Sequence, residues 1–158
     1  MRNEAILQWI YQGVFESFLD YNKFQHRLNT QKAVYLLQSM GLNFGNYHYG
    51  WYKHGPYSQS VQDDAYHALN IDPETIEVNF SDYAKGCISR LKKYISDNPG
   101  SYNDSTWLEA IASAHFLHKF TYPTYNKQQL LEELKRRKPH LADDNSNELA
   151  LEIVWDLH

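Results

Sequence analysis

Apolar residues recur along the chain at intervals of three and four, and this spacing divides it into a succession of amphipathic helices. Between residues 4 and 19, Ile6, Leu7, Ile10, Tyr11, Val14, Phe15, Phe18 and Leu19 form a broad apolar face, with Asn3 placed as an N-cap. Residues 22–29 are polar and read as a connection. Thr30 then caps a second helix over 30–40, with Val34, Leu37 and Met40 inward and Gly41 where a left-handed residue is expected. Ser58 or Ser60 caps a third, SQSVQDDAYHAL, and Asp63 stands three residues after Ser60 as in a capping box. Ser81 caps a fourth over 82–97, which buries Ile88, Leu91 and Ile95 and stops at Asn98-Pro99-Gly100. A fifth covers 104–120 and buries Leu108, Ile111, Ala112 and Phe116. A sixth covers 126–137 and buries Leu130, Leu131 and Leu134. Ser146 begins the last, in which Leu149, Ala150, Ile153, Val154 and Leu157 share a stripe.

Two stretches depart from this rhythm. In residues 42–57, Tyr47, Tyr49 and Trp51 alternate with His48, Gly50 and Tyr52. Period two predicts an extended segment, a short β-hairpin near 44–52, closed by a turn at Gly55-Pro56. Residues 70–80, with Asp72-Pro73, read as a loop or a short helical turn. No fixed-period repeat and no low-complexity stretch interrupts the pattern. The expected fold is therefore mainly α: a single compact bundle of about seven helices, residues 1–158 as one domain, with a short hairpin.

Composition narrows the possible functions. At 158 residues, 42% hydrophobic and 22% charged, the chain can bury a core. Fifteen Lys and Arg against nineteen Asp and Glu give a net charge of −4, which argues against a general nucleic-acid coat. A single cysteine, Cys87, excludes an internal disulfide framework and a multi-cysteine zinc site. The first eighteen residues are too interrupted by polar groups for a signal peptide or membrane span, so a cytoplasmic protein is expected. The unusual feature is the aromatic load of 13 Tyr, 7 Phe and 4 Trp.

Candidate chemistry is sparse. The phosphate-cradling, dinucleotide-binding, nucleophile-elbow and zincin motifs are all missing. His115 and His118 lie three apart on a predicted helix, but Glu109 falls at another angle and no third ligand joins them. They read as a packed and a surface histidine. Cys87 has no base beside it and reads as a small buried hydrophobe. Lys135-Arg136-Arg137-Lys138 is the one basic run; it ends a helix, where cations suit the dipole, between acidic neighbours. Asp63 and Asp64, about 100° apart on a helix, do not converge. No catalytic residue, metal or cofactor is expected.

The densest informative stretch is Tyr47 to Tyr57. Half of an extended aromatic run faces the core, and the other half faces solvent or a partner, as interface anchors do. Three blocks here resemble the SocA-like family of bacterial and phage proteins, also called the Panacea antitoxin domain. They are Thr30-Gln31-Lys32-Ala33-Val34-Tyr35-Leu36-Leu37-Gln38 with Gly41; Trp51-Tyr52-Lys53-His54-Gly55-Pro56-Tyr57-Ser58 with Val61 and Asp64; and Trp107 to Ser113 with Lys138-Pro139 and Ile153-Val154-Trp155. The resemblance spans 28–157. Thr30 stands where the family has leucine, and residues 1–27 lie outside the match. It implies a helical, non-catalytic protein that binds and neutralises a partner toxin or delivers it to a protease. The acidic balance would suit a basic partner. Tyr49, Trp51, Tyr52, His54 and Tyr57 are the expected partner surface or its support, with Gly55 and Pro56 shaping the turn. The alternative is a phage or mobile-element regulatory or anti-defence protein that touches a host protein, or nucleic acid through residues 135–138.

Overall fold

The computed structural model describes residues 3–157. Seven α-helices and one two-stranded antiparallel hairpin are present among them: α1 (Asn3–Phe15), α2 (Phe24–Ser39), β1 (Gly50–Tyr52), β2 (Gly55–Tyr57), α3 (Gln59–His67), α4 (Asp82–Ser96), α5 (Asp104–Phe116), α6 (Lys127–Arg137) and α7 (Asp144–Asp156). This is the mainly-α fold that the hydrophobic spacing predicts.

The apolar face decides what is central. In α5 the run from Trp107 to His115 is buried on every side, and a helix apolar all round sits inside its domain. It packs most extensively against α7 and α2. Trp107 is fully enclosed and donates its indole N–H to the Tyr94 carbonyl of α4 at 2.9 Å. A second buried cluster of Leu7, Tyr11, Leu19, Val34, Tyr47, Val61 and Ala65 fills the space between α1, α2 and α3.

Helix ends account for most differences from the sequence reading. The first helix stops at Phe15 and not at Leu19, because Glu16 adopts a left-handed φ of 64° and ion-pairs with Lys92 at 2.6 Å. Phe18 and Leu19 still pack, so the apolar spacing runs on past the helix. Asn3 is already inside α1 and does not precede it. The second helix starts at Phe24, taking in residues read as a connection. Thr30 is buried mid-helix and donates its hydroxyl to the His26 carbonyl at 2.8 Å, so it is no cap. Gly41 does take the left-handed conformation, φ 94°, and the Gly41 and Leu42 N–H groups close a Schellman motif onto Gln38 and Leu37. Ser58, not Ser60, caps α3 through the Val61 N–H. The fifth helix widens into a π turn over Leu117–Thr121. The last helix begins at Asp144, capped by Asp143, and its Leu149 faces solvent.

The irregular segments are held by a recurring device. Three glutamine side chains each exchange two hydrogen bonds with one backbone residue elsewhere: Gln8 with Leu19, Gln31 with Ser58 and Gln38 with Tyr47. A primary amide reproduces the donor and acceptor of a neighbouring strand, which satisfies buried backbone groups that have no strand partner. Gln31→Ala is expected to leave the Ser58 N–H buried without a protein partner, its carbonyl keeping only the Gln62 N–H, and to cost about 2 kcal/mol. Urea denaturation checks this; a loss below about 0.5 kcal/mol contradicts the role.

Candidate functional site

The hairpin spans Gly50–Tyr57, later than the 44–52 predicted, with Trp51 opposite Pro56 and Tyr52 opposite Gly55. Its turn is therefore Lys53-His54. Gly55 and Pro56, expected to shape the turn, belong to the returning strand. Pro56 is tolerated because the ribbon is an edge that needs no further ladder bond there. Gly55 is required for a different reason: its φ is 110°, and an added Cβ would lie 3.3 Å from Ser113 Oγ of α5.

A lone two-stranded hairpin is marginal in water, and this one is fastened from below. Lys138, only 3% exposed, donates from Nζ to the carbonyls of Tyr52 at 3.1 Å and Lys53 at 2.7 Å. The same ammonium pairs with Glu109 of α5 at 3.2 Å and lies 4.9 Å from the Trp51 ring centroid. Glu109 is 4% exposed and also meets His140 Nε2 at 2.8 Å. Lys32 of α2, 2% exposed, donates to Ser105 O and Oγ at 3.2 and 3.3 Å. Two buried ammonium groups thus stand near one buried carboxylate under the turn.

Burial pulls the Lys32 ammonium down to about 8, with Glu109 opposing and Lys138 adding. Burial lowers Lys138 as well, opposed by Glu109. It also holds His54 below the ordinary imidazole range, with Glu109 opposing and Lys32, Lys53 and Lys138 reinforcing. For a base whose folded pKa is depressed, the unfolded chain holds the proton that the folded chain releases. Stability therefore rises with pH across the window from about 8 to 10.5, and the full penalty applies below it. Above about 10 the buried phenols of Tyr35 and Tyr47, raised by burial, reverse the slope. Lys32→Met is expected to unfold at higher denaturant than the wild type near pH 7 and to lose most of the rise between about pH 8 and 9.5. An unchanged slope in the variant contradicts the assignment.

The turn Tyr52–His54 stands between two clefts, both of which it lines. One, about 480 Å³, opens between the hairpin, the start of α2 and α3; Phe24, Leu28, Pro56 and Tyr57 line it. The other, about 730 Å³, contains Trp51, Thr106, Glu109, Lys138 and His140. The five expected site residues divide accordingly. Tyr52 is 56% exposed and meets Tyr57 edge to face at 4.9 Å, on the rim of the smaller cleft. His54 is exposed and packs edge-on against Phe24, itself 54% exposed, at 5.7 Å. Trp51 turns the other way, half-buried against Phe116 with Arg137 and Lys138 beside its ring. Tyr49 points inward onto Tyr35 at 5.0 Å, and burial holds its phenol well above the ordinary tyrosine range. It is support, not surface.

The remaining candidates are dispersed. His115 is fully buried and meets the Tyr35 hydroxyl through Nδ1 at 2.7 Å, whereas His118 stacks on Trp155 at 4.1 Å. Among the described residues no three His, Cys, Asp or Glu side chains converge as metal ligands would. Cys87 is buried. Asp64 accepts from Tyr47 and Asp63 from Gln59, so the two carboxylates face different neighbours. Each cation of the basic run meets an acid: Lys135 with Asp144, Arg136 and Arg137 with Glu133, Lys138 with Glu109. No described helix is long and apolar enough to cross a membrane.

The sequence reading missed Lys32, Glu109 and Lys138 as one cluster, and Phe24 and Arg27 as part of a cleft wall. A signal existed for the first two. Lys32 directly precedes the apolar run Ala33–Leu37, and Glu109 stands alone among Trp107, Leu108, Ala110 and Ile111. Compared with known proteins, the chain matches no family model, no curated protein and no solved structure.

Proposed function

We propose that this chain is a non-catalytic protein-interaction module of the antitoxin-like kind. It binds a partner toxin by receiving a segment of it in the groove between the hairpin, α2 and α3. The observation that carries this reading is the groove itself: a 480 Å³ apolar cleft rimmed by Tyr52, Tyr57 and Phe24, all on elements tied to the core. Exposed aromatic rings on a rigid support bury much area at little conformational cost, which is how interface anchors work. The resemblance of the Trp51–Ser58 block to the SocA-like family supports the same surface. In this reading the protein acts in the cytoplasm, on its partner alone, and without a cofactor. The nucleic-acid alternative loses its main support, because the run at 135–138 offers few charges not already matched by a carboxylate.

The test uses the open reading frame beside this chain's gene. Its product is expected to arrest growth when expressed alone. Co-expression of this chain restores growth, and a Tyr52→Ala/Tyr57→Ala variant does not. Full rescue by the folded variant contradicts the site.

A further inference from the structure

The groove's charge differs in sign from the chain's. The chain carries −4, yet the groove is lined by the cations Arg27, Lys32 and Lys53, with the neutral His54 beside them, and, among the described residues, by no carboxylate. Lys32 is the informative member. Its buried ammonium donates to the Ser105 carbonyl and hydroxyl, and the nearby Glu109 is already bonded to Lys138 and His140. A buried cation short of a dedicated counter-charge costs stability, and such costs concentrate where a ligand supplies the missing partner. The walls around it are apolar: Phe24, Leu28, Pro56 and Tyr57.

We infer that the groove recognises an acidic side chain of the partner, an Asp or Glu beside an apolar residue. The apolar residue sits between Phe24, Leu28 and Tyr52, while the carboxylate lies over Lys32 within reach of His54 and Lys53. This rests on the docking reading and specifies its chemistry. In a site of low dielectric the carboxylate gains from Lys32 even without touching it, because the field between them is weakly screened. The selectivity is for charge joined to an apolar body. Phosphate alone fills neither wall, and a neutral amide leaves Lys32 uncompensated.

Blocked dipeptides test this without the natural partner. N-acetyl-Phe-Glu-amide, N-acetyl-Phe-Gln-amide, N-acetyl-Phe with a free carboxyl, and inorganic phosphate are each titrated into the wild-type protein at low salt near pH 6.5, with binding read from amide chemical shifts. The Glu peptide is expected to bind about tenfold more tightly than its Gln isostere, with shifts confined to residues 24–32 and 52–62. Lys32→Met, and independently the surface change Lys53→Gln with His54→Gln, are expected to reduce that preference, the first abolishing it. Equal binding of the Glu and Gln peptides overturns the carboxylate site while leaving an apolar docking groove intact. Tighter binding of N-acetyl-Phe assigns the groove to a chain terminus and overturns the side-chain proposal. Phosphate binding as tightly as the Glu peptide overturns it in favour of a phosphate-bearing ligand. Failure of the docking reading itself would appear elsewhere, as an unchanged affinity of the Tyr52/Tyr57 variant for the partner protein.

Discussion

Glu109→Gln is expected to destabilise the protein by about 3–5 kcal/mol, the range for leaving a buried charge without its partner. The substitution keeps the side chain's shape and removes only its charge. Lys32 and Lys138, 2% and 3% exposed, then share a buried space with no carboxylate between them. Lys138 would also lose the ion pair that sets its ammonium under the hairpin turn, so the damage reaches Tyr52 and Lys53. For a chain of this length the loss corresponds to a melting point lower by about 6–20 °C. The deficit shrinks as pH rises, because both ammonium groups are lowered by burial and give up their protons early in the folded state. Adding Lys138→Met to Glu109→Gln restores part of the loss, since one buried cation, Lys32, then remains where the single variant leaves two. Calorimetric melting of the three proteins near pH 7 and pH 9 decides the matter. A loss below about 1 kcal/mol, typical of an exposed ion pair, contradicts a buried cluster.

Tyr52→Ala with Tyr57→Ala is expected to weaken partner binding by about a hundredfold or more, roughly 3 kcal/mol, as removal of central aromatic anchors does. The fold survives the change. Tyr52 is mostly exposed, and the hairpin is held by Gln31, Lys138 and the approach of Gly55 to Ser113, none of which the variant touches. The lost edge-to-face pair between the two rings costs about 1 kcal/mol of stability at most, well within the margin of an ordinary domain. Trp51→Ala provides the contrast. That ring faces Phe116 and the Arg137–Lys138 cations, so its removal disturbs packing around α5 and α6 more than the groove.

Helix number and type were legible in the sequence because apolar spacing is a direct consequence of which face is buried. Helix ends were less legible. Phe18 and Leu19 keep the spacing of α1 although Glu16 has already turned the chain, and the polar stretch from Phe24 to Asn29 conceals a helical turn that packs through Leu28 and His26. The hairpin was foreseen as an alternation of rings, and the alternation holds: Tyr47 is buried, His48 exposed, Tyr49 inward and Tyr52 outward. Its register was not foreseen, because Gly55-Pro56 reads as a turn until Lys138 and α5 fix the turn two residues earlier. The charge cluster lay furthest from view. Its members are 77 and 29 positions apart along the chain, Lys32 to Glu109 and Glu109 to Lys138, and only the packing of α2 against α5 brings the first two near each other. Of the aromatic excess, Trp107, Tyr35 and Tyr47 are interior, Tyr49 is half-buried with its ring on Tyr35, and Phe24, Tyr52 and Tyr57 surround the groove.

The most direct test of a docking groove is a calorimetric titration of the purified toxin-like neighbour into the wild type and into the Tyr52→Ala/Tyr57→Ala variant. The variant's fold is first verified by its melting curve. The groove reading predicts saturable binding by the wild type and an affinity lower by about a hundredfold in the variant. Equal affinity of the two proteins, or no binding by the wild type, contradicts it.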